Sequence, residues 1–199
     1  MVRSDQEQNA LQRSHAYQTR IENRSKSDFS FQPDSSQHPC NQVFELTRTR
    51  GTSALKKLCL NLAKQIVVDG EGAKKFVTIN VINAKSLSSA KNIAFSVANS
   101  PLVKTAVAGE DPNWGRIAMG IGKSGELVDQ KKLKIKIGNF IVAENGKISE
   151  TYDENKLKEY MKWDSIEIEI NLKLGNDAFK CYTCDFTHDY IDINADYRN

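Results

Sequence analysis

Three short polar stretches of this 199-residue chain hold the residue types that bind small charged ligands. The first, residues 69–76, reads Asp-Gly-Glu-Gly-Ala-Lys-Lys-Phe and carries one carboxylate, Glu71, between two glycines. Glycine adopts backbone conformations that other residues resist, so this turn can present Glu71 to a ligand. The alternative is a helix-ending turn with a solvated Glu71.

The other two stretches also combine charged and amide side chains. Residues 109–116 read Gly-Glu-Asp-Pro-Asn-Trp-Gly-Arg, which favours a capped loop with Trp114 in the core. We expect Arg116 to pair there with Glu110 or Asp111. The chain ends Ile-Asn-Ala-Asp-Tyr-Arg-Asn, a density of polar groups that frayed termini rarely carry. Its simpler interpretation is a docked polar tail.

Common catalytic and metal motifs are incomplete. The Gly-Lys-Ser at residues 122–124 lacks the glycine that a phosphate-binding loop requires five positions earlier, where Ile117 stands. Cys181 and Cys184 form a C-x-x-C with His188 as the one further candidate ligand, in a segment that reads as a strand. The sequence therefore predicts neither a metal site nor redox chemistry, and two of the three histidines lie in the presumed N-terminal tail.

Charge and hydropathy exclude several classes of partner. The 28 basic and 25 acidic residues give a net charge of +3, too balanced to indicate nucleic-acid binding. The mean hydropathy is −0.53, and no window approaches the roughly 18 continuous apolar residues of a membrane span. The first residues lack the apolar core of a secretory signal. We expect a cytoplasmic protein with reduced thiols and no membrane contact.

Composition divides the chain near residue 50. Residues 22–42 contain no Leu, Ile, Val or Met, so residues 1–50 are predicted to be a low-complexity, disordered tail. Residues 51–199 are predicted to form one α/β domain.

Hydrophobic periodicity predicts alternating helices and strands within that domain. Helices are expected from Ser53 to Asp69, from about residue 88 to 99, over 101–108 and over 153–162. Asp111 is a good cap for a helix from Pro112 to about Gly122, but the glycines of this segment leave a strand as the alternative. Strands are expected over 75–82, 133–137, 140–143, 165–172 and 178–191. The residues thus favour a layered, mixed α/β domain with antiparallel hairpins.

The polar stretches together resemble a known family. Four stretches carry the resemblance and occur in this order towards the end of the chain: residues 69–76, 98–117, 184–187 and 193–198. They closely resemble the C-terminal part of the ornithine acetyltransferase/N-acetylglutamate synthase family of arginine biosynthesis. The resemblance runs from about Ala54 to Asn199.

The resemblance implies a fold, a reaction and partners. It implies a layered α/β sandwich with a mixed, largely antiparallel sheet, as in self-processing acetyltransferases and aminopeptidases. Family members transfer acetyl from N-acetylornithine to glutamate, releasing ornithine, and some accept acetyl-CoA as donor without any other cofactor. A threonine freed by self-cleavage is the nucleophile, an α chain supplies the oxyanion hole, and the assembly is an α₂β₂ heterotetramer.

The same resemblance assigns substrate-binding residues. Glu71 and Asn194 match substrate-binding positions, and Asn199 stands where the family usually has a shorter Thr or Ser that touches substrate. No catalytic residue is assigned, because the nucleophile motif is absent: none of Met1, Met119 and Met161 precedes an Ala-Thr pair.

Three functional hypotheses follow. The first is a family member that keeps part of the substrate pocket. The second is a non-catalytic subunit that requires a separate partner chain. The third is an aminopeptidase of the related self-processing fold, against which the Gly-Glu-Gly turn and the asparagine-rich terminus speak.

Overall fold

The computed structural model describes residues 53–195, which form six helices and one six-stranded sheet. The predicted tail, residues 1–50, and Asn199 lie outside this range. In chain order the elements are α1 Ser53–Val68, β1 Phe76–Ala84, α2 Leu87–Ala98, α3 Pro101–Ala108, α4 Trp114–Gly122, β2 Lys134–Ile137, β3 Phe140–Glu144, β4 Lys147–Ile148, α5 Glu154–Met161, β5 Ser165–Asn171, β6 Asp177–Cys184 and α6 His188–Ala195.

The sheet has the order β4-β3-β2-β5-β1-β6. Strands β1 and β5 run parallel, with Ile79 opposite Ile168, and every other pairing is antiparallel. The predicted mixed, largely antiparallel sheet is therefore confirmed.

The main core lies on one face of this sheet. Every second residue of β1 and β5 is buried there, which is the period of a strand with one covered face. Helix α2 covers that face with Ile93, Ala94 and Val97. Helix α4 packs closely on α2, since a Cβ on Gly120 would lie 3.3 Å from the Val97 Cα.

A second apolar cluster lies on the opposite face. The rings of Phe76 and Tyr182 stack with centroids 5.4 Å apart. Val67 of α1 and Tyr190 of α6 pack on the same cluster. Helices therefore cover parts of both faces, as the layered fold predicts. This second cluster supports the site described below.

The predicted last strand, 178–191, is wrong beyond Cys184. There the chain leaves the sheet and forms α6. The Asp185 N–H still donates to the Lys75 carbonyl at 3.2 Å, in line with the β1 pairing. Beyond it, the Thr187 hydroxyl and the Asp189 carboxylate contact Gly72 and Lys74 next to Glu71. Contacts with residues distant in the chain thus override the local strand pattern.

The helix expected over residues 112–122 is confirmed, although it begins two residues later than predicted. Helix α4 begins at Trp114 and is capped by Asn113, whose side chain accepts the Arg116 N–H at 3.1 Å. The strand alternative for this segment is therefore wrong. Trp114 is partly buried against the core.

The pairing predicted for Arg116 is wrong as well. Its guanidinium donates to the Leu102 carbonyl at 3.1 Å and to the Thr105 hydroxyl at 3.3 Å. Glu110 instead accepts from Lys75 at 3.2 Å. Within residues 53–195, no helix has the length and apolar character needed to cross a membrane.

Candidate functional site

The Glu71 turn connects α1 to β1. Its hydrogen bond runs from the Ala73 N–H to the Gly70 carbonyl at 3.0 Å, with Glu71 and Gly72 at the two central positions. Gly72 has a φ of +69°, which the third position of such a turn requires and which other residues resist. Glu71 is exposed as a result.

Helix α6 packs directly against this turn. A Cβ on Gly72 would lie 2.5 Å from the Tyr190 backbone nitrogen, so only glycine permits this approach. The Thr187 hydroxyl donates to the Gly72 carbonyl at 2.6 Å. Both contacts join the turn to the start of α6.

The two predicted ligand-binding side chains meet at this junction. The Asn194 Nδ2 donates to Glu71 Oε2 at 3.2 Å, although the two residues are 123 positions apart. The same nitrogen donates to the Tyr190 carbonyl at 2.9 Å, which orients the amide. The structure therefore brings Glu71 and Asn194 together.

Charge at the site centres on the Glu71 carboxylate. Lys74 Nζ lies 2.8 Å from Asp189 Oδ2, and this hydrogen bond raises the pKa of the Lys74 ammonium. Among the described residues, no lysine or arginine forms an ion pair with Glu71, whose side-chain partner is the neutral Asn194 amide. A cationic group is the ligand that such a carboxylate favours.

Cys181 and Cys184 point to different faces of β6. Cys181 belongs to the main core cluster, and Cys184 belongs to the second cluster. A separation of three residues on a strand produces this arrangement, so the two sulfurs do not converge on one ion. Burial raises the pKa of both thiols, and for Cys184 the nearby Lys104 ammonium only partly opposes it. Both thiols stay protonated near neutral pH.

Sequence reasoning missed four residues that shape the site: Lys74, Asp185, Thr187 and Asp189. Each makes a contact that joins the Glu71 turn to the segment from Asp185 to Asp189. Three of them lie in the stretch that the alternating pattern assigned to a strand. The dense polar run Asp-Phe-Thr-His-Asp at 185–189 was the available signal, since a buried strand seldom carries it.

Comparison with known proteins identifies the family of this chain. A family model described as the ArgJ family matches residues 38–199. The chain belongs to the ArgJ family. ArgJ from Gluconobacter oxydans, named an arginine biosynthesis bifunctional protein, is 51% identical over 148 residues, covering 74% of this chain and 35% of that protein. The Ruegeria pomeroyi protein of the same name is 51% identical over 147 residues, covering 74% and 36%.

A solved ArgJ structure has the same fold. The crystal structure of arginine biosynthesis bifunctional protein ArgJ from Bacillus halodurans aligns with a TM-score of 0.70 and 40% identity. The alignment covers 72% of this chain and 68% of that one. The resemblance seen in the sequence is therefore confirmed at the level of family and fold. The chain spans about 35% of the length of the curated ArgJ proteins it matches.

Proposed function

We propose that this chain supplies part of the substrate pocket of a glutamate N-acetyltransferase. The enzyme would transfer acetyl from N-acetylornithine to glutamate and release ornithine. The observation that carries the proposal is the 3.2 Å contact between Glu71 and Asn194. A carboxylate and an amide that are 123 positions apart in the chain meet at the exposed contact between the Glu71 turn and α6.

The pair suits an amino-acid ligand. The Glu71 carboxylate accepts charge-assisted hydrogen bonds from the free ammonium group of ornithine, N-acetylornithine or glutamate. The ligand ammonium then replaces the Asn194 amide as the partner of Glu71. The freed Nδ2 donates to a ligand carboxylate, and Asn199 is proposed as a further contact.

We assign the acetyl-carrying threonine to another part of the enzyme. Its hydroxyl attacks the acetyl carbonyl, the ornithine amine leaves with a proton, and the glutamate amine then takes the acetyl group. Acetyl-CoA is proposed as a second acetyl donor. The proposed assembly is an α₂β₂-like heterotetramer with an α chain of the same family in the cytoplasm.

Isothermal titration of the full chain with L-ornithine and N-acetyl-L-ornithine tests the proposed pocket. Replacing Glu71 with Gln removes the charge and keeps the shape, so affinity should fall by about tenfold or more, the value of one charged hydrogen bond. Glu126→Gln is the matched control, because Glu126 also accepts from an asparagine, Asn92, at 2.7 Å and lies elsewhere. Absence of binding by the wild type, or equal loss in both variants, would refute the proposal.

A non-catalytic subunit is the second candidate. The observation that favours it is that Glu71 and Asn194 are ligand-binding groups, while no methionine of the sequence precedes an Ala-Thr pair. Co-expression with an intact ArgJ precursor tests it by gel filtration. Elution of both proteins in one complex supports a subunit, and separate elution at all concentrations contradicts it.

A further inference from the structure

Asp185 stands at the centre of the contacts beneath the Glu71 turn. Its side chain is 1% exposed and follows the last residue of β6. One oxygen, Oδ1, accepts the Lys74 N–H at 2.9 Å and the Lys75 N–H at 3.0 Å. The Asp185 N–H donates to the Lys75 carbonyl at 3.2 Å. This residue thus holds both backbone amides that follow the turn.

The other carboxylate oxygen of Asp185 is unusual. Oδ2 is buried and accepts no hydrogen bond from any residue between 53 and 195. A buried carboxylate with one unsatisfied oxygen is costly, and the two amide hydrogen bonds to the other oxygen offset that cost. The charge strengthens the hydrogen bonds from the two amides, which explains why a carboxylate stands there.

The position of Asp185 couples the two halves of the site. Asp185 lies three residues before the start of α6, the helix that contains Asn194. Through hydrogen bonds it holds the residues that follow Glu71. Other links between the two segments are the packing of Gly72 against the Tyr190 backbone, the Thr187–Gly72 hydrogen bond and the exposed Lys74–Asp189 ion pair. Exposed ion pairs of this kind contribute little.

We propose that Asp185 is a positioning residue that keeps the Glu71 carboxylate within reach of the Asn194 amide. The effect on ligand affinity rests on the function proposed above, and the geometric effect does not. Without the carboxylate, the backbone after Glu71 loses one buried and one partly buried hydrogen bond. The turn then moves relative to α6, and the Glu71–Asn194 contact opens.

Nuclear Overhauser effects in the full chain measure that contact directly. In the wild type, the Asn194 side-chain amide protons should show an effect to the Glu71 γ-protons. Asp185→Ala should abolish it. Asp185→Asn keeps the size and one acceptor oxygen, and should give an intermediate intensity with faster exchange of the Lys74 and Lys75 amides.

Asp153→Ala is the matched control. Asp153 also accepts a backbone N–H, that of Lys156 at 3.1 Å, but it caps α5 away from the site. This variant should keep the wild-type effect. An unchanged effect in folded Asp185→Ala, or equal loss in Asp153→Ala, overturns the proposal. If Asp185→Ala does not fold, an unchanged effect and unchanged amide exchange in Asp185→Asn overturn it.

Ligand titration separates this proposal from the proposed function. L-ornithine affinity should fall on the order of tenfold in Asp185→Ala and less in Asp185→Asn, the partial rescue expected of a conservative variant. If the wild type binds no ornithine, the proposed function fails. The Overhauser series on unliganded protein still decides the role of Asp185.

Discussion

Replacing Gly72 with alanine should separate the Glu71 turn from α6. Two effects add. Gly72 has a φ of +69°, and a left-handed conformation costs an alanine about 1–2 kcal/mol. The new Cβ would also lie 2.5 Å from the Tyr190 nitrogen and 3.0 Å from the Tyr190 Cα. These are backbone atoms, so the clash is relieved only when the turn and the helix move apart.

The movement has its own cost. It breaks the 2.6 Å hydrogen bond from Thr187 to the Gly72 carbonyl and the 3.2 Å contact between Glu71 and Asn194. Each lost hydrogen bond costs about 1 kcal/mol, so we expect Gly72→Ala to lower the free energy of unfolding by about 3–4 kcal/mol in total.

Gly125→Ala separates the conformational cost of an alanine at positive φ from the cost of the clash with α6. Gly125 has a φ of +75°, but a Cβ there would meet nothing within 4 Å. This control should therefore lose only the conformational part, about 1–2 kcal/mol. Urea unfolding of the full chain measures both variants. Equal losses in the two variants, or a neutral Gly72→Ala, would refute the close approach of α6 to the turn.

Two further substitutions test the buried contacts of the core and the dependence of stability on pH. Lys75→Met should cost about 2–3 kcal/mol, because Lys75 is 8% exposed and its ammonium donates to the Met161 carbonyl at 2.6 Å. Lys162→Met is the control, because Lys162 is exposed and pairs with Glu159 at the surface. Its loss of stability in the same urea assay should be much smaller. Equal losses in the two variants would contradict the role given to the buried Lys75 ammonium. Burial raises the pKa of the Cys181 thiol above its ordinary value of 9.0, so above that pH the unfolded chain releases a proton that the folded chain retains. Stability should then fall as pH rises past 9.0, and the slope should be shallower in Cys181→Ala; an identical slope would contradict the assignment.

The regular elements followed from local patterns. Residues 165–172 alternate with a period of two, and the structure forms β5 at Ser165–Asn171. The glycines that end α1 also marked the turn correctly. These features depend on residues close together in the chain, so periodicity and turn chemistry are enough to predict them.

The remaining features depend on distant residues. The parallel pairing of β1 with β5 leaves no trace in either strand alone. Helix α6 follows Asp185, whose carboxylate accepts hydrogen bonds from amides 110 and 111 positions earlier, contacts that no local pattern reveals. Glu71 and Asn194 came from resemblance to a family, since neither spacing nor propensity joins them. Their contact is the part that only coordinates provide.

The central claim is that Glu71 and Asn194 together bind an amino-acid ligand, and titration of isotope-labelled full chain with L-ornithine tests it most directly. In the wild type, the signals of the Asn194 side-chain amide and the Gly72 backbone amide should shift with one common affinity for ornithine. In Glu71→Gln, both shifts should disappear at the same ornithine concentrations. Shifts confined to other parts of the chain, or shifts that persist unchanged in Glu71→Gln, would contradict the account.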